Sequence, residues 1–242
     1  MSAGNPLQLA MPFDASVDSG TPAGYNIKVY FEGRGADSGF ELWVYDPTQP
    51  NVVDVNPHLV RDTQPGQSSL GPEQFTVVAG KLYFNGFGNE GHELWVYDSA
   101  VAPSANNPRL VIDLFPGASD AYPAELTVVG DALYFEAQSA TVGREVWKYD
   151  PAVAPSANNP LPLDLTPGVN GSASGHFVSA SGARIGFRAD GNNGLGSELW
   201  LLPKTRVSLI WQRGPRAVFP ATLRVVCKRG FALRPTTARR HC

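Results

Sequence analysis

The sequence predicts an all-β fold: a β-propeller-like array of about four four-stranded blades, either a small ring or an incomplete one, with an irregular basic C-terminal tail. Three observations predict it. The motif Gly-x-Glu-[Leu/Val]-Trp occurs four times, at residues 39–43, 91–95, 143–147 and 196–200, with its tryptophans 52, 52 and 53 residues apart. Self-similarity at such a period marks a repeat architecture, and a unit of about 50 residues has the length of a propeller blade. Glycine and proline, 25 and 21 of the 242 residues, cluster between short apolar runs, as strands joined by turns require. No segment longer than a turn has helical periodicity.

Residues 1–24 come first, an N-terminal segment expected to supply the missing first strand of the first blade. Their opening, with neither a basic start nor an apolar core, does not read as a signal peptide. Residues 25–203 hold the four repeats. Each has an apolar strand before its Trp motif: Val29-Tyr30-Phe31, Leu82-Tyr83-Phe84, Leu133-Tyr134-Phe135 and Ile185-Gly186-Phe187. In the second and third copies a further strand precedes it, Phe75-Thr76-Val77-Val78 and Leu126-Thr127-Val128-Val129, closed by a Gly-containing turn. After each Trp come a Pro/Asn/Ser loop, a last strand, and then Pro65-Gly66, Pro116-Gly117 or Pro167-Gly168. The nine residues Ala-Val-Ala-Pro-Ser-Ala-Asn-Asn-Pro recur unchanged at 100–108 and 152–160.

The Trp strand predicts how the units pack. Along Glu93-Leu94-Trp95-Val96-Tyr97, the aliphatic Leu94 and Val96 face one way and the aromatic Trp95 and Tyr97 the other. A strand apolar on both sides belongs to a sheet covered on both faces, as stacked blades are.

Residues 204–242 break the pattern. All 22 acidic residues lie at or before Glu198, whereas the tail carries ten Lys and Arg, both cysteines (Cys227 and Cys242) and no acid. A faint echo of the repeat survives in residues 219–226, so the tail reads as a degenerate further blade, a basic extension, or the product of a shifted reading frame. The repeats hold no thiol, which excludes a disulfide framework or a cysteine metal site there. No apolar run is long enough to span a bilayer as a helix.

Gly-x-Glu-Leu-Trp-x-x-Asp, followed by Leu-Val-x-Asp-Leu-x-Pro-Gly and Leu-Thr-x-x-Gly-x-x-Leu-Tyr-Phe, resembles the ELWxxDGT repeat of bacterial secreted and surface proteins. The resemblance covers about residues 27–202. It implies a propeller-like array, an extracellular or cell-surface location and a larger parent protein, with no established catalytic set. The sequence departs from the family where Asp46-Pro47, Asp98-Ser99 and Asp150-Pro151 replace Asp-Gly-Thr, and where the fourth copy reads Leu201-Leu202-Pro203.

Candidate site residues are few. Glu41, Glu93, Glu145 and Glu198 recur with Trp43, Trp95, Trp147 and Trp200. The glutamates are either calcium ligands or strand-start carboxylates accepting backbone hydrogen bonds. Their presence in every copy favours the structural role, because functional sites usually break repeat symmetry. For calcium the best candidates are Asp190 and Glu198, around the Gly/Asn-rich loop 190–196, although the ion wants more charged oxygens than these two. The competing reading of that loop is a plain hairpin connection. His92 aligns with Phe40, Arg144 and Ser197, so it belongs to no repeated metal set, and His58 and His176 read as isolated loop residues. No HExxH, Gly-x-Ser-x-Gly or phosphate-binding loop is present. The expectation is a non-catalytic binding or scaffold module without a cofactor, its partner a protein or glycan rather than nucleic acid or membrane. The alternative is a propeller hydrolase or lyase acting on polysaccharide, which requires polar residues of different blades to converge where the copies differ.

Overall fold

The computed structural model describes residues 23–26, 28–52, 55–172, 175–180, 184–191, 194, 196–202, 207–209 and 225–226. They form four antiparallel sheets, with strands in sequence order within each and no helix among the described residues. The first sheet contains β1 (Ala23–Tyr25), β2 (Lys28–Arg34), β3 (Phe40–Tyr45) and β4 (His58–Leu59). The second contains β5 (Glu73–Val78), β6 (Lys81–Gly88), β7 (Gly91–Tyr97) and β8 (Arg109–Ile112). The third contains β9 (Ala124–Val129), β10 (Ala132–Ser139), β11 (Gly143–Tyr149) and β12 (Leu161–Pro162). In the fourth, β13 (Gly175–Ala180), β14 (Arg184–Asp190) and β15 (Ser197–Leu202) are extended by β16 (Val207–Leu209) and β17 (Val225–Val226).

Strand pairing therefore reaches into the segment that the sequence marked as irregular: Leu199–Leu201 pairs with β16, and β16 pairs with β17. Both cysteines and most of the tail lie outside the described residues, as do residues 1–22. His58 sits in β4 and His176 in β13, so both are strand residues rather than loop residues.

Successive sheets stack through one rule. The aromatic face of each sheet covers the aliphatic face of the sheet before it. Tyr30, Leu42 and Val44 of the first sheet meet Leu82, Phe84, Trp95 and Tyr97 of the second. Tyr83, Leu94 and Val96 meet Leu133, Phe135, Trp147 and Tyr149 of the third. Val146, with Tyr134, meets Ile185, Phe187, Trp200 and Leu202 of the fourth. The first strands of neighbouring sheets lie against one another, β1 by β5, β5 by β9 and β9 by β13, and form an inner row. Leu199 is 42% exposed, whereas Leu42, Leu94 and Val146 at the equivalent position are fully buried.

Two polar devices hold the loops. Asn107 accepts the Asp98 N–H (2.8 Å) and donates to the carbonyls of Asp98 (2.9 Å) and Val101 (2.7 Å), closing the loop from inside. Asn56 and Asn159 do the same in the first and third units. The Asp that ends each Trp motif caps the following turn, accepting the N–H of Thr48, Ala100 or Ala152 two residues on.

Candidate functional site

The motif residues take their roles from the linker that leaves the fourth strand of each unit and crosses to the next sheet. A Cβ at Gly39, Gly91 or Gly143 would overlap the linker carbonyl of Ser68, Ser119 or Val169, so only glycine lets the two backbones pass. The following residue takes a linker N–H on its carbonyl: Gly71 to Phe40, Ala121 to His92 and Ser172 to Arg144, at 2.9–3.0 Å. The linker carbonyl then accepts from the next sheet, at Leu70 from Phe87, Ala121 from Gln138 and Ser172 from Asp190.

The repeated glutamate lies under this crossing, fully buried. Glu41 accepts the N–H groups of Thr63 (3.1 Å), Gln64 (3.0 Å) and Leu70 (3.2 Å). Glu93 accepts those of Leu114 (3.0 Å) and Phe115 (3.3 Å). Glu145 accepts those of Leu165 and Thr166 at 3.2 Å, together with the Ser172 hydroxyl at 2.8 Å. Burial pushes these carboxyls up, Glu41 to about 7 and Glu93 to about 8, while the backbone donors pull in the opposite direction. Burial raises Glu145 as well. Three carboxyls surrounded by N–H donors are backbone clamps, and their geometry offers a cation little.

The tryptophans divide into two settings. Trp147 and Trp200 donate Nε1–H to the carbonyls of Ala137 (2.9 Å) and Ala189 (3.1 Å). Trp43 and Trp95 instead lie against Gly33 and Gly86, where a Cβ would come to 2.8 Å and 3.0 Å of the indole, and their Nε1 atoms are buried with no hydrogen-bond acceptor.

Asp190 and Glu198 are not brought together. Asp190 pairs with Ser197 and Glu198 with Ala189 across β14 and β15, so the two side chains leave opposite faces of the sheet. Among the described residues, no group of three or more His, Cys, Asp or Glu side chains is placed to hold a metal.

Chemistry that breaks the symmetry gathers at the β2–β3 hairpin end of the sheets and its equivalents. Phe87, His92 and Tyr122 form a row, Phe87 tilted against His92 and His92 stacked on Tyr122, with ring centres 5.1 Å and 4.8 Å apart, and Phe87 and Tyr122 are 43% and 44% exposed. Asp120 braces the row. It accepts the His92 N–H at 2.8 Å, and its hydrogen bond to the Tyr122 phenol raises that group's proton affinity. Beside the row, Arg144 donates Nε–H to Glu136 at 2.9 Å and reaches the Tyr122 carbonyl at 3.4 Å. Burial pushes the Glu136 carboxyl up, Arg144 draws it down, and Glu125 and His176 bear on it from the inner row.

Glu125 and His176 share one position with Gln74. All three adopt left-handed backbone in an inner-strand bulge, with φ 58°, 56° and 58° respectively. A side chain is seldom found there, and strained residues concentrate at functional sites. The bulges are wired forward: Gln74 accepts the Glu125 N–H (3.2 Å), and Glu125 accepts the Phe177 N–H (3.4 Å). The sequence carried a signal for this position, the changes Gln74, Glu125 and His176 beside better-kept strand residues, but a residue before a strand reads as ordinary surface. The resulting surface combines aromatic faces, a guanidinium, an amide and a buried carboxyl, a set suited to gripping a hydroxylated ring or donating a proton to one.

No protein-family model matches the chain, and none of the curated proteins matches it.

Proposed function

We propose that the chain is a non-catalytic extracellular binding or scaffold module of propeller type, related to the ELWxxDGT repeats and forming one section of a larger surface or secreted protein. The sheets are its blades, and the inner row of first strands runs along the axis. The observation that carries the reading is the division of labour just described. Recurring Gly, Glu and Trp residues are spent on stacking and linker crossing, whereas the side chains that differ between copies assemble at one end around Phe87, His92, Tyr122 and Arg144. Such a surface favours a glycan: exposed rings stack on sugar faces, and the flanking polar groups fix orientation.

The test is to screen the full chain against a glycan panel and, in parallel, against chromogenic polysaccharides. Binding without turnover, lost in Tyr122→Ala, supports the module. A second reading, a polysaccharide hydrolase, draws support from one feature, the neighbouring carboxyls of Glu136 and Glu125, since glycoside hydrolysis uses a carboxyl pair and burial raises Glu136. Turnover above blank that disappears in Glu136→Gln would replace the first reading with the second.

A further inference from the structure

The opposite end of the array holds a cavity of about 350 Å³ between the first and second sheets. Its size lies at the lower end of the range for small-molecule sites. Tyr30 and Tyr97 form its aromatic floor, with ring centres 5.6 Å apart and planes at 53°. Asn26 and Ser99 close one side, the Asn26 amide donating to the Ser99 hydroxyl at 2.7 Å. Lys28 and His58 complete the polar lining, and no lining residue is acidic.

The neighbouring junction differs from this one at one lining position. Between the second and third sheets, Tyr83 and Tyr149 repeat the same ring pair at 5.6 Å and 59°. Arg109 stands there in the register position of His58: Arg109 pairs with Val96 as His58 pairs with Val44. Its guanidinium bears electrostatically on Tyr83. Imidazole is shorter than guanidinium, so the first junction keeps the tyrosine pair and carries the shorter side chain at this position.

Lys28 is available to a ligand. It sits 3.4 Å from Asp46 and is 39% exposed, and a surface pair of this kind is weakly held. Asp46 does not depend on it, because the Thr48 N–H (2.9 Å) and hydroxyl (2.6 Å) hold the same carboxylate and dominate its lowered proton affinity. His58 donates Nδ1–H to the Val55 carbonyl at 3.0 Å, which fixes the ring and leaves Nε2 for another partner.

We propose that this cavity binds a single acidic sugar ring, a hexuronate, its carboxylate on Lys28 and its hydroxyls on Asn26, Ser99 and His58. The site is separate from the hairpin-end surface, so either can fail while the other stands.

The experiment titrates the full chain with glucuronate and galacturonate, with glucose and acetate as controls, by calorimetry and amide NMR at low and high salt. Saturable uronate binding is expected, about tenfold or more tighter than glucose or acetate, the factor that one charge-assisted hydrogen bond supplies. His58→Arg copies the second junction, keeps positive charge and fills the space, while Lys28→Met removes the cation. Each is expected to weaken uronate about tenfold or more with an unchanged urea midpoint. The assignment is overturned if uronate does not saturate, if acetate binds as well as uronate, or if His58→Arg leaves the affinity unaltered.

Discussion

The buried glutamates make stability depend on pH in a direction opposite to that of an ordinary salt-bridged carboxylate. In the folded chain the Glu93 carboxyl is raised from 4.5 to about 8, because burial penalises its charge more than the Leu114 and Phe115 donors favour it. Below pH 4.5 both folded and unfolded chains hold this proton, and stability is indifferent to it. Between 4.5 and about 8 the folded chain keeps a proton that the unfolded chain has lost, so stability falls as pH rises. At about 1.36 kcal/mol per pH unit the whole window is worth about 5 kcal/mol, a large part of the 5–15 kcal/mol typical of a domain. Glu41, raised to about 7, adds to the same slope. Asp46, lowered by Thr48 and Lys28, acts with the opposite sign, but below its ordinary value of 3.8 and so outside the window. The perturbation is Glu93→Gln, which preserves shape and cannot ionise. Urea unfolding followed by tryptophan fluorescence from pH 5 to 9 is expected to place the variant about 1–3 kcal/mol below wild type at the acid end, where the wild-type carboxyl is also neutral but the Gln amide nitrogen cannot accept the N–H of Leu114 or Phe115 that the second oxygen took. At the alkaline end the variant is expected to be more stable by about 2–4 kcal/mol. The reasoning is refuted if wild-type stability rises with pH across this range while Glu93→Gln loses several kcal/mol at pH 8. That result would mean that the clamp works as an anion and that its donors outweigh burial.

Three further outcomes follow from the packing. Gly86→Ala would push a methyl to 2.9 Å from Leu70 and 3.0 Å from Trp95, whereas the third sheet accommodates Ala137 with the smaller Ala121 at the matching linker position. Gly86→Ala is expected to cost about 1–3 kcal/mol and Leu70→Ala about 2–5 kcal/mol. In a double-mutant cycle the pair should cost at least about 1 kcal/mol less than their sum, and strict additivity would remove the argument. Asn107→Ala opens three buried hydrogen bonds and is expected to cost about 2–4 kcal/mol by thermal unfolding, while Asn106→Ala, one residue earlier, should change little. Leu94→Asp is expected to prevent folding, whereas Leu199→Asp, at a position 42% exposed, should stay within about 1 kcal/mol of wild type by urea unfolding.

The stacking was legible in the sequence because it is written in periods. Leu94 and Val96 alternate with Trp95 and Tyr97, and the structure places the two sets on opposite faces against different neighbours. The first strand of the first sheet was legible only by arithmetic, as a strand that residues 1–24 ought to supply, and it forms at Ala23–Tyr25. The linker was not legible at all. Its Pro-Gly pairs announce a turn, but nothing in Leu70, Ala121 or Ser172 reveals that one carbonyl joins two sheets while an N–H nearby enters a glutamate clamp. Those contacts span 17 positions from Leu70 to Phe87 and 29 from Glu41 to Leu70, and the linker's share of them is backbone atoms that every residue owns. The placement of Asp190 and Glu198 on opposite faces was hidden for a related reason: closeness in sequence across a hairpin says nothing about face until the register is known.

Register also explains why the symmetry-breaking residues can vary. Position 92 and its equivalents bond the linker through backbone atoms, the carbonyl in all three units and the N–H as well at Phe40 and His92, so the side chain is free to be Phe40, His92 or Arg144 without disturbing the crossing. The bulge position behaves similarly, because Gln74 and Glu125 each offer an oxygen to the next strand and either side chain satisfies the bond. A repeat whose framework is carried by backbone, glycine and one buried glutamate leaves its hairpin end open to change at little cost to the fold. Each sheet can then differ there from its neighbours, and the ring row at Phe87, His92 and Tyr122 can adjoin the ion pair of Arg144 and Glu136 without any change to the stacking beneath them.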